Sequence, residues 1–320
     1  MSSRSILIGV GTYLPEQVVT NADLEKRVDT SDAWIRERTG IIQRHLAAPH
    51  ETAAFMATGA ARDALAHAGI TADTVDAILL ATSTPDQAFP ATAVRVQAAL
   101  GMTHGFAFDL AAACSGFIYG LSVADALIRT GQVRTVLVIG SEVYSRIVDW
   151  TDRSTCVLFG DGAGAVVLQA GAADGPGLLS THLHSDGSTG DLLYVDGAVG
   201  RPECSGFLRM NGREIFRHAV SKLAGAVDEA LAANGMSYAD IDWLVPHQAN
   251  KRIIDAMGKK LGLPPERVVV TVDRHANTSA ASIPLAFAEA VRDGRIKPGD
   301  LVLMEALGGG LTWGSALLRM

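Results

Sequence analysis

Apolar residues run in short unbroken bursts along the chain, and Ala-rich stretches with helical spacing fill the gaps between them. The bursts SILIGV (5–10), VDAILLAT (75–82), FAFDL (106–110), TVLVIGSE (135–142), CVLF with AGAVVLQ (156–169), IDWLVPH (241–247), RVVVTV (267–272) and LVLMEAL (301–307) predict strands. Helices are predicted over 52–68, 114–130, 216–234, 251–261 and 279–292. Strands apolar at consecutive positions are covered on both faces, so this alternation predicts a layered α/β fold.

The pattern also repeats. ALAHAGITADTVDAILLA (64–81) matches ALAANGMSYADIDWLVPH (230–247) at an offset of 166, with Ala64/Ala230, Leu65/Leu231, Ala66/Ala232, Gly69/Gly235 and Asp76/Asp242 identical. At an offset of 163, Ala113 of FDLAAACSG pairs with Ala276 and Cys114 with Asn277, within DRHANTSAAS. Arg129-Thr130-Gly131 likewise mirrors Arg292-Asp293-Gly294. Two copies of one α/β unit are therefore expected, 1–172 and 173–320.

Composition narrows the picture. The 320 residues are 48% hydrophobic and 19% charged, which suits a large buried core and excludes disorder. The formal charge of −7 argues against a nucleic-acid binder. No apolar run reaches the ~18 residues of a membrane span, and the first twenty residues lack the layout of a signal peptide. Three scattered cysteines fit a reducing cytoplasm rather than a disulfide framework. No His/Cys cluster has metal-ligand spacing. GDGAGA (160–165) runs into a strand and reads as a glycine turn, while GVGTYLP (9–15) lacks a third phosphate-loop glycine.

Three residues at strand ends can carry chemistry, since sites form at strand ends in α/β sheets. Cys114 opens an apolar helix, where the helix dipole lowers a thiol pKa toward neutrality; a small buried core residue is the plain alternative. Cys156 reads as core and Cys204 as a loop thiol. His247 ends an apolar strand in WLVPHQAN, a setting that His67, His182, His184 and His218 lack; His275 reads as a turn residue. Asn277, in DRHANTSAAS, is either an inward amide donor or a helix N-cap.

CSGF, HQANKRII, NTSAAS and GGGLTWGSAL resemble motifs of β-ketoacyl-acyl carrier protein synthase III, a family of thiolase-like condensing enzymes. SDAWIRERTGI (31–41), AFPATA (88–93), TDRSTCVLFGDGAGA (151–165) and MNGREIF (210–216) extend the likeness end to end. The resemblance implies a thiolase-like five-layered αβαβα fold of two pseudo-symmetric halves, a homodimer, and decarboxylative condensation of an acyl-CoA with malonyl-acyl carrier protein without a cofactor. It implies that Cys114 holds the acyl group, that backbone amides of Cys114 and Gly309 meet the oxyanion, and that His247 with Asn277 holds the malonyl thioester oxygen. For CoA and its pantetheine arm it implies Thr30, Trp34, Arg38, Arg153, Gly212 and Asn250. Phe89 would close the acyl pocket across a dimer.

Carrier-protein docking falls by the same resemblance on 248–252 (Gln248, Ala249, Asn250, Lys251, Arg252), with Arg217, Lys259 and Lys260 as further cations. A secondary-metabolism relative with another starter or acceptor would carry the same triad. A non-catalytic carrier-binding subunit would lack Cys114.

Overall fold

A computed structural model describes residues 3–197 and 203–320. The first sheet holds β1 (Arg4–Tyr13), β4 (Ala77–Ala81), β5 (Phe106–Leu110), β6 (Thr135–Val143) and β7 (Asp161–Gly171), in the order β1-β7-β6-β4-β5. The second holds β8 (Gly177–Ser185), β11 (Trp243–Pro246), β12 (Leu301–Gly308) and β13 (Thr312–Arg319), in the order β11-β12-β13-β8. Two small ribbons pair β2 (Val18–Thr20) with β3 (Gln43–His45), and β9 (Leu193–Val195) with β10 (Leu208–Met210).

The two sheets share one topology. In each, a parallel pair (β4–β6, β11–β12) continues into two antiparallel pairs (β6–β7–β1, β12–β13–β8). The expected strand over 267–272 is the exception. It shrinks to a single parallel bridge between Leu244 and Val268, after a 3₁₀ turn at Pro265–Arg267. The cause is a side chain: Gln248 Oε1 accepts the Thr271 and Val272 amides at 2.8 and 3.1 Å, taking the donors a ladder would use.

The helices are α1 (Asn21–Leu24), α2 (Asp32–Thr39), α3 (Ala53–Ala68), α4 (Thr92–Ala99), α5 (Gly116–Arg129), α6 (Arg153–Cys156), α7 (Gly212–Ala233), α8 (Lys251–Lys260), α9 (Val272–His275) and α10 (Ser282–Arg292). α5 and α10 lie between the sheets, α3 and α4 cover the first, and α7 and α8 cover the second. The result is the five-layered αβαβα order. The central layer packs so closely that sheet glycines are required: a Cβ on Gly140 would stand 2.2 Å from the Ala280 carbonyl, and one on Gly164 2.7 Å from the Leu285 amide.

GDGAGA is thus strand, with Asp161–Ala165 inside β7, and not a turn; its glycines serve close approach. CVLF (156–159) is likewise no strand. Asp152 captures the Ser154 amide and winds 153–156 into α6, after which the chain turns into β7. Both expected central helices start late, each behind a 3₁₀ turn, at Ala113–Ser115 and Ser279–Ala281. Strands β8 and β13 and helices α2 and α4 were not expected; β13 lies in the glycine-rich terminal stretch, whose pattern is weak.

The sequence repeat reappears as repeated conformation. Gly69 and Gly235 end α3 and α7 at positive φ (68° and 63°). Asp76 accepts the Thr135 amide at the start of β6, and Asp242 the Leu301 amide at the start of β12. Ala113 and Ala276, both non-glycine, hold φ of 45° and 58° immediately before Cys114 and Asn277. Such backbone strain persists only where surrounding structure over-determines it.

Candidate active site

Each of the three chemistry-bearing residues arrives at the molecule's centre on its own element. β5 and the strained Ala113 deliver Cys114 to the 3₁₀ turn that opens α5. β11 delivers His247, whose amide is held by the Glu305 carbonyl of β12 at 2.8 Å. Asn277 follows Ala276, and its backbone is clamped on the loop after α6: its N–H donates to the Leu158 carbonyl at 2.9 Å, and its carbonyl accepts from Gly160 at 3.0 Å.

All three side chains line one cavity of about 110 Å³, walled by Phe159, Leu193, Met210, Ile215, Phe216, Ile253 and Leu307. Its polar members are nearly sealed, with Cys114 4%, His247 6% and Asn277 7% exposed. Asn277 Oδ1 accepts the Ser279 N–H at 2.8 Å, so the amide turns its NH₂ away from that bond. The bond is a local Asx turn and not a helix N-cap: the N-cap of the turn at Ser279–Ala281 is Thr278, and that of α10 is Ala281.

His247 Nδ1 lies 2.6 Å from Ser282 Oγ, which also accepts the Gln248 N–H at 3.3 Å. The tautomer in which this hydroxyl donates to Nδ1 carries its proton on Nε2. Burial pushes the imidazole pKa down to about 3, so the ring is neutral near pH 7. Ser282 was missed at the sequence level as an individual residue, although it closes the NTSAAS motif one helical turn beyond Thr278.

Cys114 departs from expectation. Burial, with the Glu142 carboxyl nearby, pushes its pKa up to about 12 instead of toward neutrality. The neighbouring Ser279 side chain opposes that shift without cancelling it. Desolvation outweighs the helix end.

Family models for "3-Oxoacyl-[acyl-carrier-protein (ACP)] synthase III" and its C-terminal part match residues 108–187 and 231–320. The chain is 74% identical over 317 residues to the beta-ketoacyl-[acyl-carrier-protein] synthase III of Acidiphilium cryptum, covering 99% of both chains, and 71% identical to that of Granulibacter bethesdensis, again over 99% of both. The crystal structure of the Aquifex aeolicus 3-oxoacyl-[acyl-carrier-protein] synthase III superposes with a TM-score of 0.94 at 50% identity, over 99% of this chain and 100% of that one. The chain belongs to the synthase III family.

Around the cavity mouth this synthase III chain gathers most of the other expected residues. Gly212 and Asn250 line the same cavity as the triad. Asn250 donates from Nδ2 to the Arg38 carbonyl at 3.1 Å and caps α8 through the Arg252 amide. The guanidiniums of Arg38 and Arg153 each lie 5.0 Å from the centre of the Trp34 ring, and Arg153 is held by the Asp29 carbonyl at 2.8 Å. Thr30 stands near this group in sequence, with a buried Oγ that has no partner.

One expectation changes. Gln248 is fully buried and spends its side chain on Pro246, Thr271, Val272 and the Val269 carbonyl, so it cannot meet a carrier protein; its polarity is absorbed by the fold. Gly308 is pressed on the Cys114 backbone, where a Cβ would stand 2.6 Å from the Cys114 amide, and the next residue, Gly309, abuts the Leu193 carbonyl. Phe89 is 84% exposed and does not line the Cys114 cavity of its own chain.

Of the expected docking residues, Ala249 lines the cavity and Lys251 pairs with Asp255 at 2.5 Å. Arg217 pairs with Glu214 at 2.7 Å. Arg252, Lys259 and Lys260 are exposed, with Arg252 over the Phe216 ring at 5.4 Å. Among the described residues no group of three or more His, Cys, Asp or Glu has metal-site geometry, and no helix is long and apolar enough to cross a membrane.

Proposed function

We propose that the chain condenses an acyl-CoA, acetyl-CoA foremost, with malonyl-acyl carrier protein to give 3-oxoacyl-acyl carrier protein, CoA and CO₂, the step that opens type II fatty acid synthesis. The observation that carries this reading is the convergence of Cys114, His247 and Asn277 on one small, nearly dry cavity.

In the first half-reaction Cys114 Sγ attacks the thioester carbonyl, and the backbone amides of Cys114 and the 308–309 glycine turn face the developing oxyanion. One such donor contributes about 3–4 kcal/mol. CoA leaves, and malonyl-acyl carrier protein enters along the same cavity. His247 Nε2–H and the Asn277 NH₂ then hold the malonyl thioester oxygen as CO₂ departs and enolate charge gathers on it. The carbanion attacks the Cys114 thioester and releases the product. Neither donor gains or loses a proton, which suits a neutral imidazole and an amide.

Trp34 with Arg38 and Arg153 supports binding of the CoA adenine end, Thr30 its neighbourhood, and Gly212 with Asn250 the pantetheine arm. The exposed cations Arg252, Lys259 and Lys260 on α8 suit the acidic carrier protein despite the chain's negative total. A homodimer is supported by β5, an unpaired sheet edge carrying the half-exposed Phe106. Asp109 of that strand holds the Thr92 and Ala93 amides at 2.7 Å, three residues after the exposed Phe89, and this supports a reading in which Phe89 reaches a partner's cavity. Residues 1–172 and 173–320 are read as its two evolutionary units, and the cytoplasm as its compartment. No cofactor enters this scheme.

The test is a panel of acyl-CoAs with intact-mass detection of the Cys114 adduct, followed by product analysis with malonyl-acyl carrier protein. An acetyl adduct and an acetoacetyl product are expected. An adduct formed only with longer or branched starters would move the enzyme to secondary metabolism, and no adduct at all would leave a carrier-binding role.

A further inference from the structure

Asn277 can hold the malonyl oxygen only while its amide keeps one orientation. A carboxamide rotated by half a turn about its last bond has nearly the same shape, yet it presents an acceptor where the donor stood. What fixes the amide here is a backbone group. Its Oδ1 accepts the Ser279 N–H at 2.8 Å, which turns the NH₂ away from that bond.

The Ser279 N–H is in place because Ser279 holds a φ of 49°, and Ala276, on the other side of Asn277, holds 58°. Neither is glycine, so each conformation costs free energy and survives only where its surroundings over-determine it. For Ser279 a fixing contact comes from outside its own turn. Tyr144 lies in the 3₁₀ turn Tyr144–Arg146 that follows β6, and it is buried. Its phenol meets Ser279 Oγ at 3.0 Å.

The ring of the same residue stacks on Phe159, with 4.9 Å between centroids and 27° between planes. Phe159 forms a parallel bridge with Asn277 and is itself a wall of the cavity. One side chain thus grips both flanks of Asn277, Ser279 through its hydroxyl and Phe159 through its ring. Tyr144 does not itself line the cavity.

We propose that Tyr144 is a positioning residue for the condensation: its hydroxyl holds Ser279, and through Ser279 it keeps the Asn277 NH₂ aimed at the malonyl thioester oxygen. The inference rests on the reading that Asn277 and His247 hold that oxygen. Tyr144 touches no reacting atom and moves no proton. Enolate charge grows only as CO₂ leaves, so a misaimed amide costs rate rather than substrate affinity. A phenylalanine could keep the stack on Phe159, but it would take a hydrogen-bond partner from the buried Ser279 hydroxyl.

The experiment measures CO₂ release from malonyl-acyl carrier protein by the full-length protein, by Y144F, by N277A and by the Y144F/N277A double variant. In Y144F kcat should fall about fivefold, the worth of one net hydrogen bond, with KM unchanged. In N277A no amide remains to be aimed, so adding Y144F should change kcat by less than about twofold. A tyrosine that only supported the fold would slow both backgrounds alike. Y144F at the unsubstituted rate, a loss confined to KM, or an equal loss in both backgrounds overturns the inference and leaves Asn277 as the donor. Should Y144F not fold, S279A deletes the other end of the bond and takes its place in the same cycle, with the same expected and overturning results. N277A as fast as the unsubstituted protein overturns the role of Asn277 and this inference with it.

Discussion

Cys114 shows how two effects on one atom are weighed. A helix N-terminus favours a thiolate by about 0.3–1 kcal/mol, rising to ~2 in partly buried sites. A rise from 9.0 to about 12 corresponds to about 4 kcal/mol against ionisation, so burial wins. Cys114→Ser should abolish the acetyl adduct yet retain malonyl decarboxylation, measured as CO₂ release, because that step uses only His247 and Asn277. At His247 the controlling partner is Ser282. Ser282→Ala removes the donor that keeps the proton on Nε2, and CO₂ release should fall by about tenfold with the acetylation rate unchanged.

Elements are placed by what their residues omit as much as by what they offer. The central helices reach the sheets because Gly140, Gly162 and Gly164 present no Cβ to α10 and the turn before it. Gly140→Ala would force its methyl into the Ala280 carbonyl, beside Ser279 and near Asn277. A loss of about 2–3 kcal/mol is expected from urea midpoints, together with weakened decarboxylation. Gln248 does the opposite work, adding a side chain where a strand would continue. It sits in a motif that resembles a docking stretch, yet its four bonds stitch β11 to the 269–272 segment. Gln248→Ala should therefore destabilise the fold by about 3 kcal/mol, and binding of the carrier protein to the remaining folded fraction should be unaltered. Arg252→Glu, on an exposed face of α8, should weaken carrier-protein binding and spare acetylation by CoA thioesters.

At the scale of the whole molecule, buried titratable groups set opposing pH slopes. His247 and His275 are held down at about 3 and about 4 by burial, so the unfolded chain binds more protons than the native one as pH drops below 6.5, and stability is lost there. Glu305 and Glu142 are held up at about 8 and about 7, so the native chain keeps protons that the unfolded chain releases above 4.5, and stability falls as pH rises through that window. Melting temperature should peak between these limits. Glu305 has a buried Oε2 without a partner and shares a small cavity with His247. Glu305→Gln should flatten the alkaline fall, a result that scanning calorimetry at pH 5 and pH 8 would check. From the sequence alone the layered class, the repeat, the family motifs and the three chemistry-bearing residues were legible, because apolar runs, strand-end positions and motif spacing are properties of neighbouring residues. What the tertiary structure alone decided is where each side chain finds its dielectric and its partner: the raised thiol, the serine that sets a histidine tautomer, the glutamine drawn into the core, and the glycine chosen to face Cys114. Those depend on groups distant in sequence meeting in space, as Gly308 and Cys114 do, and no local pattern encodes that meeting.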